Sequence, residues 1–176
     1  MKKITINPFD KKSIDAAIKQ LQKIKEEIPR KEAELVRRVA ELGLNVARAK
    51  FFTALYAGTN DVVCRVDQSG TTAYLIAEGE AVGFIEFGTG VRHPEHPGFE
   101  DFTPPKHGTY GKGKGANPGW WDYYGDPGNR GHVISDKNGK TKVRTSGNDP
   151  AMAMYDAIVS MSEQIVQIAR EVWSSD

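Results

Sequence analysis

Residues 108–115 read GTYGKGKG and have the spacing of a phosphate-binding loop: a glycine, four residues, then Gly-Lys. That motif needs a helix behind it to aim amides at phosphate, and a hydroxyl after the lysine to bind magnesium. Here Gly115 stands at the hydroxyl position and an Asn-Pro-Gly turn follows at 117–119. We therefore predict a flexible basic loop and no nucleotide site. Lys112 and Lys114 are candidates for contacts with DNA phosphates in a channel, and two solvated lysines are the plainer alternative.

Three of the four histidines fall in the same region, and His93 and His96 have close metal-ligand spacing with His107 nearby. A zinc site usually also recruits cysteine, but Cys64, the single cysteine, is expected to point inward from a strand. Histidines packed in turns are the alternative, and we assign no catalytic residue, metal or cofactor. A small metal-dependent enzyme using these histidines stays a second hypothesis. One cysteine also means no intrachain disulfide, which favours a reducing compartment.

Residues 88–131 are dense in glycine, proline and aromatic residues, including Trp120, Trp121, Tyr123 and Tyr124. Flexible linkers lack aromatic residues, and these rings are costly to leave in water. We therefore predict an irregular insertion whose rings pack either on their own sheet or on a neighbouring molecule. Long loops of this kind are usually functional or interfacial.

Four motifs occur in a fixed order along the chain: GFIEFGTG at 83–90, His-Pro at 96–97, GWWDYY at 119–124 and TSGNDPAMAMY at 145–155. Together they resemble the tail-component, or neck, proteins of long-tailed bacteriophages. Asp149 adds a residue before Pro150 relative to that pattern. In addition, AMAM at 151–154 replaces the usual Pro-Phe-Met. Both departures affect the entry to the last helix.

The resemblance implies a structural virion protein, assembled in the host cytoplasm, that forms a homo-oligomeric ring in tail completion or head-tail joining. It implies no catalytic residues, and its partners would be further copies, other phage neck and tail proteins, and DNA contacted non-specifically. For Glu86, pairing with arginine, capping a turn and simple solvation all stay open. The candidate interface residues are Glu86, Phe87, Gly88, Thr89, Trp120, Trp121, Tyr123 and Tyr124.

The elements that must position these residues begin with two predicted helices, 10–28 with Asp10 as its cap and 31 to 51 or 52. Pro29 is expected to interrupt them, because it lacks an amide donor and crowds the preceding turn. Gly43 would allow a close neighbour. Many lysines and arginines lie on these helices, so a nucleic-acid-binding module is a further alternative, although the net charge is only +1. The apolar stripe of the first helix contains Ile14, Ile18, Leu21, Ile24 and Ile28.

Alternating apolar residues then predict strands at 61–68 and 72–78, a strand or short helix at 82–87, and a hairpin of 132–135 with 140–145. A last helix is expected to start at Asn148 or Asp149, with Pro150 in its first position, and to end near 173. This makes an α+β fold in one domain, 1–176.

No apolar run is long enough to span a bilayer and residues 1–12 lack a signal-peptide core, so no membrane partner is expected. The stripe of the last helix contains Met154, Ile158, Met161, Ile165, Ile168 and Val172.

Overall fold

The computed structural model describes residues 4–90 and 118–174 as a mixture of helices and small antiparallel sheets, which confirms the α+β class. The helices are α1 (Lys11–Thr53), α2 (Val82–Phe87) and α3 (Ala153–Ser174). The strands are β1 (Val63–Ser69), β2 (Thr72–Glu78), β3 (Thr89–Gly90), β4 (Trp121–Tyr123), β5 (His132–Ser135), β6 (Thr141–Thr145) and β7 (Gly147–Asn148).

The amino-terminal part is one helix of 43 residues, so the prediction of two helices separated at Pro29 is wrong. Asp10 does cap it, with its Oδ1 accepting from the amide of Lys12 at 2.9 Å. Pro29 is exposed within the helix, where its ring meets solvent and not a packed neighbour. Ile28 and Leu35 lie seven residues apart, about two turns, so the apolar stripe keeps its phase across the proline. One lost hydrogen bond is tolerated because the flanking residues are good helix formers.

Helix α3 packs antiparallel on the second half of α1. At one end Lys50 Nζ lies 2.5 Å from Asp156 Oδ2, and at the other Lys31 Nζ donates to the carbonyl of Trp173 at 3.5 Å. Between them the helices approach closely at Gly43, where an added Cβ would lie 2.6 Å from Met161 Sδ. The predicted role of Gly43 is therefore confirmed. The buried contact consists mainly of small residues, namely Ala40, Ala47, Ala153 and Ala157.

The first hairpin is confirmed and packs across α1. Strands β1 and β2 pair antiparallel, from Val63 opposite Glu78 to Ser69 opposite Thr72. The thiol of Cys64 points inward, as predicted, and joins the core beside Ala47 and Phe51. The guanidinium of Arg48 donates to the carbonyl of Cys64 at 2.9 and 3.1 Å, which ties the hairpin to the helix.

The second hairpin is also confirmed, but it belongs to a three-stranded sheet of order β4-β6-β5. Its turn closes through Asp136, whose amide donates to the carbonyl of Lys140 at 2.8 Å, with Gly139 at φ 76°. Strand β4 comes from the segment that we expected to be irregular and pairs Trp121 with Thr145. Residues 121–123 of the 88–131 segment therefore form a strand, because β6 offers them a free edge.

The ambiguous segment 82–87 is a short helix. The last helix starts at Ala153, so Asn148 and Asp149 do not cap it and Pro150 is not its first residue. Asn148 lies in β7 instead. The predicted stripe of this helix is only partly buried, since Ile158 and Ile165 are 41% and 43% exposed.

The exposed proline in α1 gives the first test. We expect Pro29→Ala to raise the free energy of unfolding by about 1–3 kcal/mol, because alanine restores an amide donor and removes the ring clash. Chemical unfolding followed by circular dichroism measures this change, with Arg30→Ala as the neighbouring control. A loss of stability in Pro29→Ala would mean that the proline supports the helix in a way that these contacts do not account for.

Candidate functional site

Two of the motifs that carry the resemblance, 83–90 and 145–155, meet in space. Strands β3 and β7 pair Thr89 with Asn148 and Gly90 with Gly147. The hydroxyl of Thr89 donates to Asn148 Oδ1 at 2.7 Å, and Asn148 Nδ2 donates to the carbonyl of Phe84 at 3.0 Å. Asn148 is only 4% exposed, so its amide group serves to join α2, β3 and β7.

Glycine is required where β3 and β7 pair. Gly147 has φ 96°, and a Cβ there would lie 2.0 Å from the carbonyl oxygen of Thr89. Gly90 has φ 151°, and a Cβ there would lie 2.7 Å from the carbonyl oxygen of Ser146. Any larger residue would push the two motif segments apart.

Glu86 supplies the cap of α3. Its Oε1 accepts from the amides of Met154 at 3.1 Å and Tyr155 at 3.2 Å, and Oε2 also lies 3.1 Å from the amide of Met154. The first amides of a helix have no partner within the helix and carry its positive dipole end, so a carboxylate is favourable there. Of the roles open for Glu86 on sequence, capping is the one that the structure shows. The cap comes from α2, 68 residues away from Met154, and not from Asn148 or Asp149.

The backbone reinforces this connection. The amide of Ala151 donates to the carbonyl of Ile85 at 2.8 Å, and that of Met152 to the carbonyl of Glu86 at 3.1 Å. Met152 is fully buried and has φ 48°, a left-handed conformation that costs energy in a non-glycine residue. The chain thus turns sharply before α3, and the strain persists because hydrogen bonds on both sides hold the turn.

Burial raises the pKa of Glu86, while the amides of Met154, Tyr155 and Ala153 lower it and the nearby Asp156 raises it further. Glu86 is 5% exposed, and its carboxyl group accepts from the amides of Met154 and Tyr155 of its own chain. Because Glu86 is enclosed in this way, its carboxylate is not accessible to a neighbouring subunit.

A second carboxylate positions α2 itself. Asp61 accepts from the amide of Glu80 at 2.7 Å and from that of Ala81 at 2.9 Å, and these amides hold its pKa below the ordinary value. Ala81 is the residue that precedes α2. Asp61 therefore orients the short helix that carries Glu86.

The aromatic residues around β4 pack partly on their own sheet. The guanidinium of Arg144 lies 3.4 Å from the ring centroid of Trp120 and also pairs with Asp122 at 2.7 Å. This pairing lowers the pKa of Asp122. Tyr123 donates its hydroxyl to the carbonyl of Asp126 at 2.7 Å. The intramolecular alternative thus holds for part of the cluster.

Two aromatic side chains of this cluster, Trp120 and Tyr124, are exposed to solvent. Trp120 is 38% exposed and Tyr124 is 55% exposed, although the hydroxyl of Tyr124 donates to Asp136 at 3.0 Å. Lys140 and Lys142 lie over the Tyr124 ring at 4.4 and 5.3 Å from its centroid. The result is an exposed aromatic surface with a basic border.

A groove of about 800 Å³ lies between the end of α1 and the segment before β5. The sequence did not predict this groove, because its walls come from segments that are far apart in the chain. Asn129 joins these segments, since its Oδ1 accepts from the amide of Tyr56 at 2.7 Å. Asp126 accepts from Thr59 and from the amide of Gly128, and burial raises the pKa of the Cys64 thiol. Burial thus disfavours the thiolate form of Cys64, which lines the groove. Its walls include Arg48, Phe51, Phe52, Tyr56, Val62 and Asp126.

Several predicted residues lie outside the described residues: Lys112, Lys114, His93, His96 and His107. Within 4–90 and 118–174, no three His, Cys, Asp or Glu side chains are placed to hold a metal ion. In the same two ranges, no helix has the length and apolar character needed to cross a membrane.

Comparison of the chain with protein-family models, with curated protein sequences and with solved structures finds no match.

The cap formed by Glu86 can be tested directly. We expect Glu86→Ala to lower the free energy of unfolding by about 2–4 kcal/mol, because it leaves partly buried amides of α3 without their acceptor. Glu86→Gln keeps one acceptor oxygen and should cost less than half of that. Urea unfolding measures both, and Glu80→Ala, an exposed carboxylate nearby, serves as the control. Equal losses in the alanine and glutamine variants would contradict the capping role.

Asp61 gives a pH test. Its folded pKa lies below its ordinary value of 3.8, so its contribution to stability is present above that value and is lost as the pH falls through the folded pKa. We expect wild type to exceed Asp61→Asn in stability at neutral pH, with the difference shrinking as the pH falls below 3.8. Unfolding at a series of pH values measures it, with Asp15→Asn on the exposed surface of α1 as control. A difference that stays constant over this range would rule out the ionised cap.

Proposed function

We propose that this chain is a structural subunit of the neck or tail end of a tailed bacteriophage, located in the virion. It assembles into a homo-oligomeric ring that takes part in tail completion or head-tail joining. The ordered motifs at 83–90, 119–124 and 145–155 support this assignment through their resemblance to tail-component proteins. In the fold, these motifs form the α2–β3–β7 junction and the aromatic strand β4.

The observation that carries the proposal is the amount of apolar surface left exposed. Twenty large apolar or aromatic side chains of the described residues are exposed, whereas the buried core there consists largely of alanine and a few larger residues. Monomeric proteins rarely expose large contiguous apolar patches, and larger ones mark interaction sites. The most exposed are Phe9 at 97% and Phe52 at 86%. A subunit built in this way gains stability by associating.

The motif residues contribute to that surface. Phe84 and Phe87 of α2 are 54% and 38% exposed, beside the buried Ile85 and Glu86. Beside the β4-β6-β5 sheet, the aromatic side chains of Trp120 and Tyr124 are exposed, and lysines lie over the ring of Tyr124. Aromatic and arginine side chains dominate the energetics of protein interfaces, so both regions suit contacts with a neighbouring subunit or a different neck protein.

A ring of this kind would surround the path of the DNA. Basic residues that face such a channel neutralise phosphates without reading sequence. Lys112 and Lys114, outside the described residues, are the candidates for this contact. Each subunit would contribute the same pair, so the closed symmetry would repeat a weak contact around the channel.

Assembly state is the decisive measurement. We expect purified protein to shift from single subunits to closed rings as its concentration rises, because association buries the exposed apolar side chains. Mass photometry gives the number of subunits and negative-stain microscopy shows closure. A chain that stays monomeric at all concentrations, alone and with the neighbouring neck and tail proteins, would refute the proposal.

A further inference from the structure

Helix α1 is about twice as long as the helix that packs on it. At about 1.5 Å per residue, the 43 residues of α1 span roughly 65 Å and the 22 residues of α3 roughly 33 Å. The contacts of Lys50 with Asp156 and of Lys31 with Trp173 place α3 along the second half of α1. Residues 11–30 therefore extend roughly 30 Å past the end of α3.

This projecting half keeps the apolar stripe of α1. Its exposed members recur at steps of three, four and seven, which places them on one face of the helix. The same face continues into Leu35 and Val39, where the helices α1 and α3 run side by side. We name as the projecting stripe Ile14, Ile18, Leu21 and Ile28, with exposures of 37%, 48%, 53% and 40%.

Helix α3 has a second apolar face besides the one that contacts α1. Ala157, Ile168 and Val172 are buried, whereas a different set of apolar residues is exposed along the whole helix. Counted from Ile158, the other members lie one, seven, eight and fifteen residues further along the chain, which places all of them on one side of the helix. We name as the outer α3 face Ile158, Val159, Ile165, Val166 and Trp173, with exposures of 41%, 36%, 43%, 56% and 46%.

The charges of the two helices are complementary. Residues 11–30 contain six basic and three acidic side chains, and α3 contains three acidic and one basic. Asp156 and Glu171 of α3 already pair with Lys50 and Arg38 of the same chain. The other two charges of α3, Glu163 and Arg170, are exposed seven residues apart at the border of the outer α3 face. Glu163 is suited to meet a lysine of the projecting half, and Arg170 to meet one of its three carboxylates. Two projecting halves packed together would instead bring net positive charge against net positive charge.

We propose that copies of this chain associate head to tail, with the projecting stripe of one copy packed on the outer α3 face of the next. The two surfaces are different and lie in different parts of the subunit, so the contact is heterologous and repeats until a ring closes. The inference rests on the proposed function in taking a second copy as the partner. It adds the pair of surfaces that would make the ring.

Complementation of two variants tests this arrangement. One variant, Ile18→Glu with Leu21→Glu, disables the projecting stripe, and the other, Ile158→Glu with Val166→Glu, disables the outer α3 face. All four positions are exposed, and glutamate is compatible with a helix. Circular dichroism and thermal unfolding check that each variant folds, and the serine versions replace any that does not. Val133→Glu, at a 61% exposed position of β5, is the matched control and should form rings like wild type.

We expect each variant alone to have the mass of one subunit and the equimolar mixture to have the mass of two. The mixture retains one intact stripe and one intact outer face, so a single contact forms and no ring can close. Rings formed by either variant alone would overturn this inference and leave the proposed ring standing. A dimer formed by one variant alone would show pairing of like faces, and a mixture without dimers would overturn the arrangement as well. A wild-type chain that never associates would refute the proposed function itself.

Discussion

The fold depends on one buried carboxylate that joins parts of the chain far apart in sequence. Glu86, at the end of α2, accepts from the first amides of α3, while Asp61 accepts from the amides of Glu80 and Ala81, just before α2. Carboxylates from earlier segments therefore position the start of α3 and the entry to α2. Because capping amides must be satisfied when they are buried, this chain of caps sets the direction in which α3 leaves the junction and returns along α1.

That direction explains how the surface is divided. Once α3 lies antiparallel on the second half of α1, small residues such as Gly43 and Ala157 bring the two backbones close. Close packing of small residues makes a narrow contact. Ile168 and Val172 are buried on the inner side of α3, and its other large apolar residues, such as Val166 and Trp173, remain exposed on the outer side. The length difference between the helices leaves residues 11–30 uncovered by α3. The uncovered apolar surface is thus a consequence of the cap and of helix length, and the proposed ring would bury it.

The aromatic motif at 119–124 packs partly on its own sheet, which is one of the two arrangements that its composition left open. Strand β4 uses Trp121 and Tyr123 to extend the sheet, and Arg144 shields one face of Trp120 while pairing with Asp122. The side chain of Tyr124 stays exposed to solvent, with the ammonium group of Lys140 over its aromatic ring. The same short segment therefore stabilises its own sheet and presents rings to solvent. A side chain that its own sheet already holds in place loses less conformational entropy when it binds a partner.

Local patterns in the sequence were sufficient to predict both hairpins, the cap at Asp10 and the last helix, since turn chemistry and periodicity act over a few residues. They failed at Pro29, where the local penalty is outweighed by favourable helix formers on both sides, and at the start of α3, where the cap comes from Glu86 across the fold. Periodicity also marked Ile158 and Ile165 as apolar without showing whether α1 or solvent would meet them. The candidate site residues were recognisable as a motif, but only the tertiary structure decided which of them became buried connections and which remained surface. Burial and long-range hydrogen bonds depend on partners that no local window contains.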